Sequence, residues 1–145
     1  LNTLFARRVR LLFDIRDSDV ALQVGGSGMS PEVAAQMEVK ALFEAPHDVE
    51  RWNVRARRGD TAVEEFELSP DGAGLDPAEA DHERLLFLAL RRGKRTQIMA
   101  SDLAPQPRDV ATVLIYLPEQ EAARALLASW GWKAVETATS GRRQA

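Results

Sequence analysis

The stretch best suited to anion chemistry is Gly25, Gly26, Ser27 and Gly28, followed by Met29, Ser30, Pro31 and Glu32. Ser30 at an N-cap, Pro31 at the first helical position and an acid in the first turn predict a helix start. Free amides at such a start attract anions. The same glycines also suit a strand-to-helix turn that needs only backbone freedom, and taken alone they favour that plainer role. His47 and His82 are the only histidines and there is no cysteine. Thiolate metal sites, cysteine nucleophiles and disulfides are excluded, and two histidines without a third ligand do not make a metal site. Glu64 and Glu65 point to opposite faces of a strand, so they are not an acid–base pair. The expectation is no catalytic residue, no metal and no cofactor.

Cations gather at Arg51, Arg55, Arg57 and Arg58, and again at Arg91, Arg92, Lys94 and Arg95. The net charge of -3 argues against a nucleic-acid partner. These groups read as solvated edge charges that discourage strand aggregation and as cations at a helix C-terminus. Trp130 falls in a buried row. Trp52 and Trp132, with Arg55 and Arg57 nearby, are the candidates for a protein interface, where large amphipathic rings contribute most.

These residues need elements to carry them. Val9, Leu11, Phe13 and Ile15 alternate with polar residues, and Val20, Leu22 and Val24 resume the pattern after Asp17-Ser18-Asp19, predicting a hairpin over 8–24. A helix follows from Pro31 to about Glu44. Trp52, Val54 and Ala56 alternate ahead of Gly59-Asp60, predicting a second hairpin that returns through Thr61 to Leu68. Asp76-Pro77-Ala78-Glu79 has capping-box chemistry and Gly93 closes a helix well, so residues 77–92 read as helix. The apolar run Leu85 to Leu90 is equally compatible with a buried strand. Strands are expected at Thr96–Ala100, Val110–Tyr116 and Lys133–Ala138, with a helix from Pro118 to Trp130.

The order β-β-α-β-β, then α-β-β-α-β, predicts an α+β fold built as a two-layer α/β sandwich with a mixed sheet. The 145 residues, 45% hydrophobic and 28% charged, suffice for a sizeable core. No apolar run approaches the roughly 20 residues of a bilayer span. Arg7, Arg8 and Arg10 interrupt any signal-peptide layout, so a cytoplasmic location without a membrane partner is expected.

The hairpin followed by Gly-x-Gly-Met-Ser-Pro-Glu-Val resembles the first glycine box of the histidine-kinase ATPase domain, with Gly26 and Gly28 matching its two glycines. The segment Trp52 to Leu68 is similar to that domain's closing hairpin. The family's adenine-binding Asp falls at Val24, and only Ala45 to Arg51 stands where the second glycine box and the lid belong. Its magnesium-binding Asn helix has no counterpart beyond Asn2. Val113-Leu114-Ile115-Tyr116, the helix ending in Leu126-Leu127-Ala128-Ser129-Trp130-Gly131, and Val135 to Gly141 resemble the opening of a receiver domain. There Glu119 stands alone where receivers place an acidic pair. His82-Glu83-Arg84 is faintly similar to a phospho-acceptor box but stands in the wrong place for one.

Together the resemblances imply a hybrid-histidine-kinase arrangement. Residues 1–70 would be a degenerate ATPase-like region, 71–109 a linker helix and strand, and 110–145 a pseudo-receiver segment. The implied function is a non-catalytic signalling module in a two-component-type system. It would work by protein–protein interaction, with a second copy of the chain among its partners. The alternative is a small-molecule or anion-binding domain using Gly25 to Ser30.

Overall fold

The computed structural model describes residues 19–21, 40–43, 47–75, 81 and 83–136. Along the chain these form β1 (Asp19–Ala21), β2 (Lys40–Leu42), α1 (Val49–Arg58), β3 (Thr61–Leu68), β4 (Leu85–Arg92), β5 (Arg95–Ile98) and β6 (Val110–Tyr116). A 3₁₀ turn (Leu117–Glu119), α2 (Gln120–Ser129) and β7 (Trp132–Ala134) complete them. The architecture is α+β.

One five-stranded sheet has the order β5-β4-β6-β3-β7, and every neighbouring pair in it is antiparallel. β1 and β2 form a separate parallel pair, joined to the rest by a bridge between Leu42 and Ala100. No helix among the described residues is long and apolar enough to cross a membrane.

Strand alternation gives the large sheet two faces. On the inner face Ala111, Val113 and Ile115 of β6 stand opposite Phe66 of β3 and Leu85, Phe87 and Leu90 of β4. An extra residue at Leu88 bulges β4 between Phe87 and Ala89 and keeps Leu90 inward. Ala123 and Leu127 of α2, one turn apart, join these residues in a single core with Trp130 and Trp132. Each large side chain buried there contributes about 1.5–3 kcal/mol.

Several elements differ from the expectation. Residues 49–58 are helix, not the first strand of a hairpin. The Asp48 side chain caps this helix by accepting from the Arg51 amide, Gly59 ends it with a φ of 76°, and Arg55, Arg57 and Arg58 complement its C-terminus. The alternation of Trp52, Val54 and Ala56 misleads because only Trp52 of the helix is buried. Residues 85–92 are strand, not helix. Leu85, Leu86 and Phe87 are buried in succession, so both faces of this part of β4 are covered. Gly93, at a φ of 58°, turns the β4–β5 hairpin instead of capping a helix.

The helix from Pro31 cannot reach Glu44, since Lys40–Leu42 is extended. The described partner of Asp19–Ala21 is that parallel strand; the rest of the 8–24 hairpin lies outside the described residues. β5, β6 and α2 fall close to their expected positions; β7 begins one residue before the expected Lys133 and ends at Ala134, with Val135 and Glu136 outside the strand.

The sheet draws strands from all three expected segments: β3 from the first, β4 and β5 from the second, β6 and β7 from the third. β6 and β7 run in the same direction with β3 between them. The β6-α2-β7 succession therefore joins two parallel strands that are not neighbours in the sheet.

A backbone clasp closes the β7 end. Ser69 donates to the Gly131 carbonyl (2.9 Å) and Gly74 to that of Trp130 (3.1 Å), and the Trp132 indole donates to the Gly74 carbonyl at 2.7 Å. Gly131 has a φ of 92°, and a Cβ there would fall on the Gly72 Cα. At Gly59 a Cβ would meet nothing within 4 Å. Gly131→Ala is thus expected to cost about 3 kcal/mol or more in urea denaturation. Gly59→Ala should cost only the left-handed penalty of about 1–2 kcal/mol. Equal losses would contradict the clasp.

Candidate functional site

The order of strands sets which side chains can meet. At one end of the sheet α1, the start of β4 and the 3₁₀ turn converge. The Arg55 guanidinium lies 3.8 Å from the Tyr116 ring centroid and 5.0 Å from that of Trp52, a stacked arrangement that suits a planar cation. It also donates to the Glu83 carbonyl (2.6 Å), while Arg51 pairs with the Glu83 carboxylate. Arg84 bridges Asp81 and Glu119, each at 2.7 Å. Burial pushes the Asp81 carboxyl upward, but the Arg84 side chain and the Arg84 and Glu83 amides outweigh it and hold the group below its ordinary range. These charges fasten α1 to β4 and β4 to the turn before α2.

On the inner face Glu64 accepts from Arg124 (2.7 and 3.0 Å) and Gln120 (2.7 Å) of α2. The Arg124 hydrogen bond lowers its carboxyl pKa against the opposing effect of burial.

At the opposite end the register sets Arg92 directly across from Arg95, an unfavourable pairing of like charges. Asp109 relieves it. Its two oxygens accept from Arg92 at 2.9 and 2.7 Å and one also takes the Gln106 amide at 2.8 Å. Asp109 is buried, and the Arg92 hydrogen bond holds its carboxyl below the ordinary range despite that burial. Sequence reasoning missed Asp109; the available signal was an acid immediately before a buried strand in a chain rich in arginine.

The sequence candidates are scattered. Gly25, Gly26, Ser27, Gly28 and Ser30 lie outside the described residues, as does His82. Trp52 and Trp132 are both buried, so neither ring is presented at the surface; Trp132 packs on Phe87 with ring centroids 5.5 Å apart. Arg55 is engaged in its stack, and Arg57 is exposed on α1. Among the described residues, no three His, Asp or Glu side chains are grouped to hold a metal.

No protein-family model matches the chain, and neither the curated proteins nor the solved structures contain a significant match. The site is therefore read from its geometry.

Apolar side chains remain exposed on the outer face of the sheet. Val63, Leu114 and Leu86 share one cross-strand row, and Glu65, Thr112, Ala89 and Ile98 share the next. Val63 is 60% exposed and Ile98 62%. They flank half-buried Leu114, Thr112 and Ala89.

Because the folded Asp109 carboxyl titrates low, its contribution is complete above the unfolded-state value of about 3.9. It is lost as pH falls through the lower folded value. Asp109→Asn is expected to lower stability by about 1–3 kcal/mol at neutral pH, the two proteins converging in urea denaturation below about pH 3.9. A deficit independent of pH would contradict this role.

Proposed function

We propose that this chain is a cytoplasmic, non-catalytic regulatory module that works by binding a protein partner on the outer face of its sheet. The observation that carries the reading is the placement of Val63 and Ile98 in adjacent rows of that face, both largely exposed. Two strands separate them, and half-buried Leu114, Thr112 and Ala89 fill the intervening surface; apolar side chains on one sheet face gain from desolvation on contact. On the same face Glu65 pairs with Arg91 at 4.0 Å and Glu67 stands across from Lys133, so the rim carries both charges and the partner surface is defined by an apolar centre.

Three of the described carboxylates, Glu64, Asp81 and Asp109, are held ionised in hydrogen-bonded pairs with arginine. A carboxylate so held is a poor proton donor near neutrality. In this reading the fold is a two-layer α/β sandwich, with α2 covering the inner face and part of the outer face left to the partner.

The sequence resemblance suggests a two-component signalling protein as that partner. Helix α1 in place of the closing hairpin, and β3 between β6 and β7, lend it no support. The proposal therefore defines the partner by its surface chemistry. Gly25 to Ser30 likewise offers no described geometry for the alternative of anion binding.

A photo-crosslinking residue placed at position 63 or 98, in cells that make the protein, is expected to yield one discrete adduct of higher mass. The same residue at Ala128, exposed on α2, should yield none. Absence of an adduct from 63 and 98, or equal adducts from all three positions, would overturn the proposal.

A further inference from the structure

Residues of the loop from Met99 to Asp109 line two neighbouring hollows that share Leu103. One, of about 270 Å³, is lined by Leu75, Met99, Leu103 and Pro105 with smaller alanines, and by Ser101 and Asp102 as its two polar residues. The other, of about 120 Å³, is lined by Leu90, Arg92, Arg95, Gln97, Leu103 and Asp109. The first is chiefly apolar and the second carries hydrogen-bond donors.

The loop is fixed in place. Leu103 donates to the Ala100 carbonyl (3.0 Å), Asp109 to that of Gln106 (3.0 Å), and Arg108 to that of Leu68 (2.8 Å). Arg108 holds a φ of 70°, a left-handed conformation that a non-glycine residue keeps only when its surroundings impose it.

The two arginines of the smaller hollow differ. Arg92 has its charge matched by Asp109. Arg95 forms no ion pair with any described residue, yet stands beside Gln97 on the inner side of β5, in a hollow whose Leu103 wall is shared with the apolar one. A guanidinium without a carboxylate, backed by an amide side chain and adjoining an apolar chamber, is complementary to one ligand class. That class has a planar monoanionic head and a short hydrocarbon body.

We propose that this cleft binds a small amphipathic carboxylate. The carboxylate accepts from Arg95 and Gln97, and the hydrocarbon body lies against Leu103, Met99 and Leu75. Arg95 and Gln97 face inward while Ile98 between them faces outward, so the cleft is separate from the outer protein-binding face. The two proposals can fail independently.

The test uses hexanoate, its neutral isostere hexanamide, and inorganic phosphate, each titrated into the full chain while backbone amide NMR shifts are followed. Hexanoate is expected to shift the amides of Arg95, Gln97, Met99 and Leu103 saturably. Hexanamide should bind at least about tenfold more weakly for want of a charge-assisted hydrogen bond, and phosphate, having no apolar body, should bind more weakly than hexanoate.

Arg95→Gln removes an exposed side chain that supports no described ion pair, so the fold should survive. It should weaken hexanoate about tenfold and abolish the preference over hexanamide. Four results would overturn the proposal: no saturable shift with hexanoate, shifts centred elsewhere, equal binding of hexanoate and either hexanamide or phosphate, or hexanoate affinity unchanged in Arg95→Gln.

Discussion

Strand β6 occupies the middle of the five-stranded sheet although it is sixth of the seven described strands in chain order, and this insertion governs the rest of the fold. β3 and β4 precede it, yet each pairs with it and not with the other. Its inward residues Ala111, Val113 and Ile115 are fully buried and form the floor on which α2 packs. The sheet cannot close around its core until a distant segment has been threaded between two earlier strands. Such non-local pairing carries an entropic cost that only the completed core offsets.

The charged residues follow from the same constraint. A central strand shared by two antiparallel neighbours leaves its ends crowded with loops, and each end is fastened by arginine–carboxylate contacts. Arg84 with Asp81 and Glu119 fastens one end, and Arg92 with Asp109 the other. Exposed pairs contribute little to stability, whereas buried Asp109 would be costly without its partners. Acids engaged in this way serve architecture. The two proposals accordingly place recognition on Val63 and Ile98 of the outer face and on Arg95 beside the cleft.

The parts legible in the sequence were those where several local signals agreed. Val110–Tyr116 is an unbroken β-branched and apolar run, and Gln120–Ser129 combines a preceding proline with a terminal glycine; both stand where their patterns place them. α1 was obscured because Trp52, Val54 and Ala56 imitate strand alternation, although Asp48 and Gly59 mark both helix ends. β4 was obscured for the reverse reason. Asp76-Pro77 and Gly93 look like helix boundaries, while burial on both faces selects the strand for Leu85–Phe87. Trp132 was expected at a surface because its indole partner, the Gly74 carbonyl, is remote in the chain. Arg95 stands out only once Asp109 is seen to claim Arg92, a contact that no local pattern reveals.

Amide hydrogen exchange tests the central role of β6 most directly. If the sheet depends on it, the amides of residues 111–115 exchange only through global unfolding, with the same opening free energy as the inner amides of β3 and β4 measured under mild denaturant. Protection in β3 or β4 that outlasts that of β6, or exchange of 111–115 through local opening well below the global free energy, would contradict the account.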